Sequence, residues 1–257
     1  QSGNFAYRMA NNVIITNLKN TTDLFRLSRL FNPKGGGNPN NSSDYVGIPM
    51  GAATGFLSSS VSSLGSEQIV KGDAGRPSII MTAAESYFLQ AEAAQVFGIA
   101  GLGSVQTLYN SGVQWAFRLA AATQTGTATA TNAQADAAAT AYLASGAPFA
   151  DWSLATTPTL KRTFIQVQEW VALCNIDGSE AWAEYRRTNT TDAAGNVLPT
   201  PGGGGAYGCC PYSPHSTVVT GPEPVRLFYP FRETSVNSAN VPGNINVFTS
   251  KIFWDAN

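Results

Sequence analysis

Charged residues are scarce in this sequence. Asp, Glu, Lys and Arg make up 12% of its 257 residues, about half the fraction usual for globular domains. The 15 basic and 16 acidic side chains nearly cancel, so no broad basic field exists to release counterions from a phosphate backbone or to hold an anionic membrane. Nucleic acid is therefore not expected as a partner.

Long apolar runs and paired cysteines are also missing. No stretch approaches the roughly 18 consecutive apolar residues of a transmembrane helix, and residues 1–4 do not begin a signal peptide. Three cysteines allow at most one disulfide, and the adjacent Cys209 and Cys210 would close a strained ring. Disulfides are not expected to hold the fold, and Cys174, in a helical pattern, is predicted to be a buried thiol.

Histidine occurs once, at His215. With so few imidazole or thiolate ligands and no CxxC spacing, neither a metal site nor any cofactor is expected. A serine hydrolase needs a base, but His215 lies in a Pro-rich segment without a nucleophile-elbow sequence. Nucleotide binding is not supported, because Gly101 to Gly103 follows a predicted helix and Gly35 to Gly37 lacks a following Lys-Ser or Lys-Thr.

Glycoside hydrolysis is the main enzymatic alternative, since two carboxylates suffice for it. Glu85 and Glu92 lie seven residues apart on one predicted helix face. Helix capping explains Glu85 more simply. The recognisable carboxylates, Glu85 included, lie at caps or beside arginines, where pairing is expected to lower a carboxyl pKa. A protein that binds without catalysing a reaction is therefore predicted.

Helical periodicity is concentrated in the middle of the chain. Thr82 and Glu85 have the spacing of a capping box and predict a helix that runs to about Phe97. Ser104 is predicted to cap a second helix, whose apolar residues recur at three- and four-residue spacing. The two helices are expected to form a hairpin.

A second helical pair is predicted further along. A long apolar pattern runs from Thr159 to Cys174, and after a turn Asp177 lies three residues before Glu180 in another capping arrangement. Between the two pairs, Asn132 is predicted to cap a short Ala-rich helix.

The rest of the chain is rich in Gly, Pro, Asn and Ser, which interrupt regular structure. We expect one domain, with a loop-rich segment over 1–78, a helical core over 79–190 and a loop-rich tail over 191–257. Residues 22–31 are ambiguous between a short helix and an extended segment. Short strands are predicted at 225–229 and 247–253. The fold class is mainly α, a helical-repeat protein decorated with long loops and a few short strands.

Short motifs follow one another in order from about residue 45 to Trp254. They are YVGIP at 45–49, IMTAAESYFLQAEA at 80–93, LYNSGV at 108–113, QEWVAL at 168–173, EAWAEYRRT at 180–188, and RLFYP at 226–230 with Glu233 and Asn237. Together they resemble the C-terminal part of the SusD/RagB family, the cell-surface nutrient-binding lipoproteins of Bacteroidetes.

The resemblance implies tetratricopeptide-like helical hairpins that support loops. It also implies a lipid anchor at the external face of the outer membrane and partnership with a TonB-dependent transporter. The lipoprotein signal, the anchoring cysteine and the early helix pairs of a full member are missing from the sequence, so a C-terminal fragment is expected, with membrane contact only through an anchor that this chain lacks. The expected function is to bind a nutrient, with a glycan favoured, and to deliver it to the transporter.

The motif residues themselves have structural explanations. Aromatic side chains at helical spacing are expected in the core, namely Tyr87, Phe88, Trp170 and Trp182. Glu184 is predicted to form an ion-pair network with arginines beneath the loop of Tyr229 and Pro230; these arginines are Arg186, Arg187 and Arg226.

Sugar binding requires exposed aromatic faces beside amides and hydroxyls, because pyranose rings stack on aromatic rings. Loop aromatics are therefore the ligand-binding candidates: Phe149, Trp152, Tyr207 and Tyr212. Trp152 is the first of them, although a loop anchor packed on the helices explains it equally well. The alternative from another class is a tetratricopeptide-type scaffold whose partner is protein, which a broad apolar patch would favour.

Overall fold

A computed structural model describes residues 9–49, 51–52, 55–57, 59–65, 79–122, 130–188, 226–247, 250 and 252. The helices are α1 Asn12–Asn20, α2 Leu24–Leu30, α3 Ala83–Phe97, α4 Val105–Ala121, α5 Asn132–Leu143, α6 Pro158–Leu173, α7 Gly178–Thr188 and α8 Phe231–Val236, and the strands are β1 Phe31–Asn32 and β2 Ser63–Leu64. The prediction of a mainly α fold is confirmed. Within the described ranges, none of the helices combines the length and the apolar character that a bilayer-spanning segment needs.

Helix α3 begins and ends where the sequence predicts. The Thr82 hydroxyl accepts a hydrogen bond from the Glu85 amide at 3.1 Å, and the Glu85 carboxylate accepts one from the Thr82 amide at 3.2 Å. This capping box satisfies two amides that have no partner inside the helix. Gly98 ends α3 in the left-handed conformation, with a φ of 62°, which glycine adopts without a steric penalty.

The predicted hairpin of α3 and α4 forms the centre of the main core. The Ser104 hydroxyl caps α4 by accepting from the Thr107 amide at 3.1 Å. Gly112 of α4 faces the Phe88 ring so closely that an added Cβ would lie 2.6 Å from the Phe88 Cε1 atom. Helix α6 packs on α3, and α5 packs on α4.

The starts of α5 and α6 differ from the prediction by a residue or two, whereas the cap of α7 agrees with it. Helix α5 is capped by Thr131 and not by Asn132, because Thr131 and Gln134 form a reciprocal capping box. Helix α6 starts at Pro158, with Thr157 as its cap. The Asp177 carboxylate accepts from the amides of Ser179 and Glu180 at 2.9 and 3.0 Å, as predicted, and α7 packs against α6.

The segment predicted to be loop-rich, 1–78, contains two helices. Asn11 caps α1 and Asp23 caps α2 through their side-chain oxygens. The ambiguous residues 22–31 are helical over Leu24–Leu30 and extended at Phe31, so each interpretation holds for one part. These elements bury a second apolar cluster made of Ala10, Ile14, Ile15, Leu18, Leu27, Leu30, Phe31, Tyr45 and Val171.

Strands form at a different place from the one predicted. Strands β1 and β2 pair antiparallel, with Phe31 opposite Leu64. The described parts of 225–229 and 247–253 form no strand, although the Arg226 amide does donate to the Val247 carbonyl at 3.3 Å. Pro230 stands at the start of α8 and lacks the amide that a sheet ladder requires.

Cys174 lies at the C-terminal end of α6 and carries a free, partly buried thiol. Burial raises the pKa of this thiol to about 12. The thiol therefore stays protonated at neutral pH, as expected for a packing residue and not for a nucleophile.

Candidate ligand-binding site

The first ligand candidate, Trp152, lies in the loop between α5 and α6. It begins a short 3-10 turn, Trp152–Leu154, which Asp151 caps by accepting from the Ser153 amide at 2.9 Å. Leu154, at the end of this turn, is an exposed apolar residue. The loop therefore has a defined backbone and places two apolar side chains near solvent.

The Trp152 side chain packs on the helices and is only partly buried. Its ring lies 4.6 Å from the Tyr109 ring, between centroids, with a tilt of 41°, and 6.1 Å from the Phe164 ring in an edge-to-face contact. Such aromatic contacts hold a ring in one orientation. Trp152 thus anchors the loop while part of its side chain remains accessible.

Phe149 lies in the core. Its side chain is 0% exposed, and its ring packs edge-to-face on Phe164 with centroids 5.2 Å apart. A ring with no accessible face cannot stack on a sugar, so Phe149 is withdrawn from the ligand candidates and assigned to packing. Its backbone adopts a left-handed conformation, with a φ of 56°, which costs a bulky residue roughly 1–2 kcal/mol.

A buried hydrogen-bond network holds Phe149 in this conformation. Its carbonyl oxygen accepts from the Tyr109 hydroxyl and from the Gln168 amide nitrogen, the latter at 2.7 Å. The Gln168 nitrogen also donates to the Tyr142 hydroxyl at 2.8 Å. Burial raises the pKa of the Tyr109 hydroxyl well above its ordinary value, so this group remains a neutral donor to the loop.

The network extends to a fully buried arginine. Arg26 of α2 is 1% exposed; its Nη2 donates to the Gln168 side-chain oxygen at 3.0 Å, and its Nε pairs with Asp23. The guanidinium carbon lies 4.6 Å from the centroid of the Phe117 ring. Burial is the largest influence on the pKa of Arg26 and lowers it, but the charge and hydrogen bond of Asp23, together with Tyr142 and Tyr109, outweigh burial, so the net shift is upward. Arg26 therefore stays charged and orients Gln168 toward the Trp152 loop.

The remaining ligand candidates, Tyr207 and Tyr212, lie outside the described residues. The same holds for the side chains of Arg186 and Arg187, so the predicted ion-pair network stays a prediction. Within the described part, the Arg226 guanidinium lies 5.2 Å from the Tyr229 ring centroid.

The other motif residues lie on or near the helices. Tyr87 and Trp170 pack against the core as predicted, Trp182 is half-buried and Glu184 is buried. Glu233, in the first turn of α8, accepts from the Asn237 side-chain amide.

Both carboxylates on α3 are engaged by other groups. Glu85 is occupied by the α3 cap, and Glu92 lies 3.7 Å from Arg162 of α6. Burial raises the pKa of Glu85 more than the cap hydrogen bond from the Thr82 amide lowers it, and neighbouring charges that include Glu180 and Asp177 raise it further. The expected lowering by the cap is therefore outweighed, and the net shift of the Glu85 pKa is upward. Among the side chains that the structure describes, no group of three or more His, Cys, Asp or Glu is placed to hold a metal ion.

One protein-family model matches most of this chain. A model described as "Starch-binding associating with outer membrane" matches residues 2–197 of the 257. The chain belongs to the SusD-like family. No curated protein sequence matched it. Solved SusD homologues share its fold.

Three of these structures illustrate the likeness. A SusD homologue from Bacteroides fragilis NCTC 9343 is 20% identical and has a TM-score of 0.67, with 93% of this chain and 50% of that one covered. A homologue from Bacteroides uniformis ATCC 8492 is 23% identical and has a TM-score of 0.59, with 96% of this chain and 49% of that one covered. A chitin-binding SusD homologue from Flavobacterium johnsoniae is 22% identical and has a TM-score of 0.60, with 97% of this chain and 50% of that one covered. At these identities the likeness establishes the fold, and this chain spans about half the length of each SusD homologue.

Proposed function

We propose that this chain is part of a cell-surface glycan-binding protein that delivers its ligand to a TonB-dependent transporter. The observation that carries the proposal is the family match, because the family is described as starch-binding and associated with the outer membrane. The chitin-binding homologue with the same fold adds support for a glycan ligand. We also propose that the protein is located at the external face of the outer membrane. This chain would then be the C-terminal part of a longer protein.

The proposed activity is binding without catalysis. The α3 carboxylates are engaged in a cap and beside Arg162, which leaves neither in the free, facing arrangement that glycoside hydrolysis uses. Trp152 offers a partly accessible aromatic ring on a rigid loop, and Tyr207 and Tyr212 remain further candidates. A pre-ordered aromatic surface binds a sugar at a low entropy cost.

Replacing Trp152 tests this site. We expect Trp152→Ala to weaken binding to the recognised glycan in a panel of soluble polysaccharides by about tenfold or more, because truncation of a central aromatic contact costs over 1 kcal/mol. Leu154→Ala is the matched control, since Leu154 is an exposed apolar residue of the same turn. Affinity electrophoresis measures binding, and thermal unfolding checks that both variants fold.

A second variant separates packing from stacking at the same position. Trp152→Phe keeps an aromatic ring against Tyr109 and Phe164 but offers a smaller stacking surface, so an intermediate affinity is expected. Wild-type affinity in a folded Trp152→Ala variant would remove Trp152 from the site.

A protein-interaction scaffold is the second candidate function, and one surface favours it. The segment at α8 exposes four large apolar side chains, Leu227 at 74%, Phe228 at 70%, Phe231 at 86% and Val236 at 75%. A solvent-exposed apolar cluster of this kind is typical of protein contact sites. Under this alternative the transporter is the main partner, and the glycan panel would show no specific binding.

A further inference from the structure

An exposed tryptophan lies on the surface formed by α4 and α5. Trp115 of α4 is 37% exposed, and the guanidinium carbon of Arg118 lies 4.6 Å from its ring centroid. Stacking with a cation fixes the orientation of an indole and covers one of its faces. A ligand ring that approached Trp115 would therefore stack on the opposite face.

Arg118 is itself held rigidly. Its Nε and Nη2 atoms donate to the two carboxylate oxygens of Asp136 on α5, each at 2.6 Å, in a two-pronged geometry that adds directional specificity. The Gln114 side chain lies close enough to Asp136 to help lower its pKa. The hydrogen bond from Arg118, more than any other interaction, holds the pKa of Asp136 below its ordinary value. Both charges therefore persist across the neutral pH range.

The groups around Trp115 match the chemistry of a neutral sugar. The indole offers a flat apolar surface to the C–H face of a pyranose, while a carboxylate, a guanidinium and an amide offer acceptors and donors to its hydroxyls. Arg118 and Asp136 remain partly accessible, with 24% and 28% of their side chains exposed. Because Arg118 and Asp136 already hold each other in place, little conformational entropy is lost when a ligand binds to them.

The surface around Trp115 is separate from the Trp152 loop. Trp115 follows Tyr109, which contacts Trp152, by six residues of α4. Six residues advance a helix by about 9 Å and leave the two side chains roughly 120° apart around its axis. Trp115 also differs from the apolar segment at α8, because it lies beside groups that are charged or carry an amide, namely Arg118, Asp136 and Gln114.

We propose that Trp115, Gln114, Arg118 and Asp136 form a second carbohydrate subsite, which stacks one neutral pyranose ring on the face of Trp115 that Arg118 does not cover. The proposal rests on the proposed glycan-binding function and extends it to a surface that the sequence did not indicate. A longer oligosaccharide or polysaccharide would gain affinity by engaging this subsite in addition to the Trp152 loop.

Titration of Trp115→Ala tests the subsite. Isothermal titration with maltohexaose and with chitohexaose is carried out on the wild-type chain, on Trp115→Ala and on Val96→Ala. Val96 is an exposed apolar residue of α3 and serves as the matched control. We expect Trp115→Ala to lose one binding event or about tenfold in affinity, Val96→Ala to bind as the wild type does, and both to unfold at nearly the wild-type temperature.

The possible outcomes separate the subsite from the general function. Wild-type binding that is unchanged in Trp115→Ala overturns the subsite and leaves the glycan function standing. Loss of a protein partner from Trp115→Ala with unchanged glycan affinity also overturns it and assigns Trp115 to a protein interface. Absence of any binding by the folded wild-type chain overturns the proposed function and the subsite together.

Discussion

Arg26→Met is expected to lower the free energy of unfolding by about 3–5 kcal/mol, the range measured when one partner of a buried ion pair is removed. Arg26 and Asp23 are 1% and 2% exposed, so the substitution leaves a buried carboxylate without its counter-charge. It also removes the donor to the Gln168 side-chain oxygen. Urea unfolding followed by circular dichroism measures the change through the midpoint and slope.

Two variants make the Arg26 prediction specific. Arg29→Met is the control, because Arg29 lies on the same helix and is less buried than Arg26. Its guanidinium carbon stacks 3.6 Å from the Phe25 ring centroid, and losing a cation–aromatic contact of this kind is expected to cost about 1 kcal/mol or less. Adding Asp23→Asn to Arg26→Met should recover part of the loss, since Asn removes the unpaired charge and retains a helix-capping oxygen. An Arg26→Met cost no larger than that of Arg29→Met would contradict the account.

Gly112→Ala is expected to destabilise the fold by about 1–3 kcal/mol, as overpacking of a core does. The new Cβ would lie 2.6 Å from one atom of the Phe88 ring and 2.8 Å from two others. In an unhindered helix, replacing Gly by Ala has the opposite sign and stabilises by roughly 0.5–1 kcal/mol. Thermal unfolding should therefore show a lower melting temperature in spite of the better helix former.

The partner residue provides the control for Gly112. Phe88→Leu combined with Gly112→Ala should cost less than the sum of the two single substitutions, because Leu removes the ring that the Cβ meets. Gly178→Ala, where an added Cβ meets nothing within 4 Å, should not destabilise the fold and should stabilise it by up to about 0.5–1 kcal/mol. Additive costs for the pair at positions 88 and 112 would show that the α3–α4 contact is looser than described.

The parts of the fold that local chemistry determines were predictable. The Thr82–Glu85 capping box and the Asp177 cap depend on residues three apart in the chain, and both helices begin where these signals stand. The cap of α5 was misplaced by one position because Thr131 and Asn132 are both good capping residues. Only the reciprocal bond with Gln134 distinguishes them.

Helix α1 shows where local reasoning fails. Its sequence contains several Asn residues, which are weak helix formers. Burial of Ile14, Ile15 and Leu18 in the second apolar cluster favours the helix in spite of this weak propensity. Tertiary packing stabilises a short helix in this way, and the sequence pattern of the segment does not reveal it.

The candidate site depends on contacts between distant parts of the chain. Arg26 and Gln168 are separated by 142 residues, so no spacing rule could pair them. Phe149 and Trp152 both looked like loop aromatics, and only the fold distinguishes the buried ring from the accessible one. The raised pKa of Glu85 likewise comes from burial and from carboxylates of α7 and the turn before it.

The central claim, that this chain binds a glycan, is tested most directly by titrating the purified wild-type chain with soluble starch and with chitin oligosaccharides in a calorimeter. The account predicts saturable binding of at least one of them by protein that shows a single cooperative thermal transition. A folded chain that binds neither of these, nor any other soluble glycan of a broad panel, would contradict the account and favour the protein-interaction scaffold.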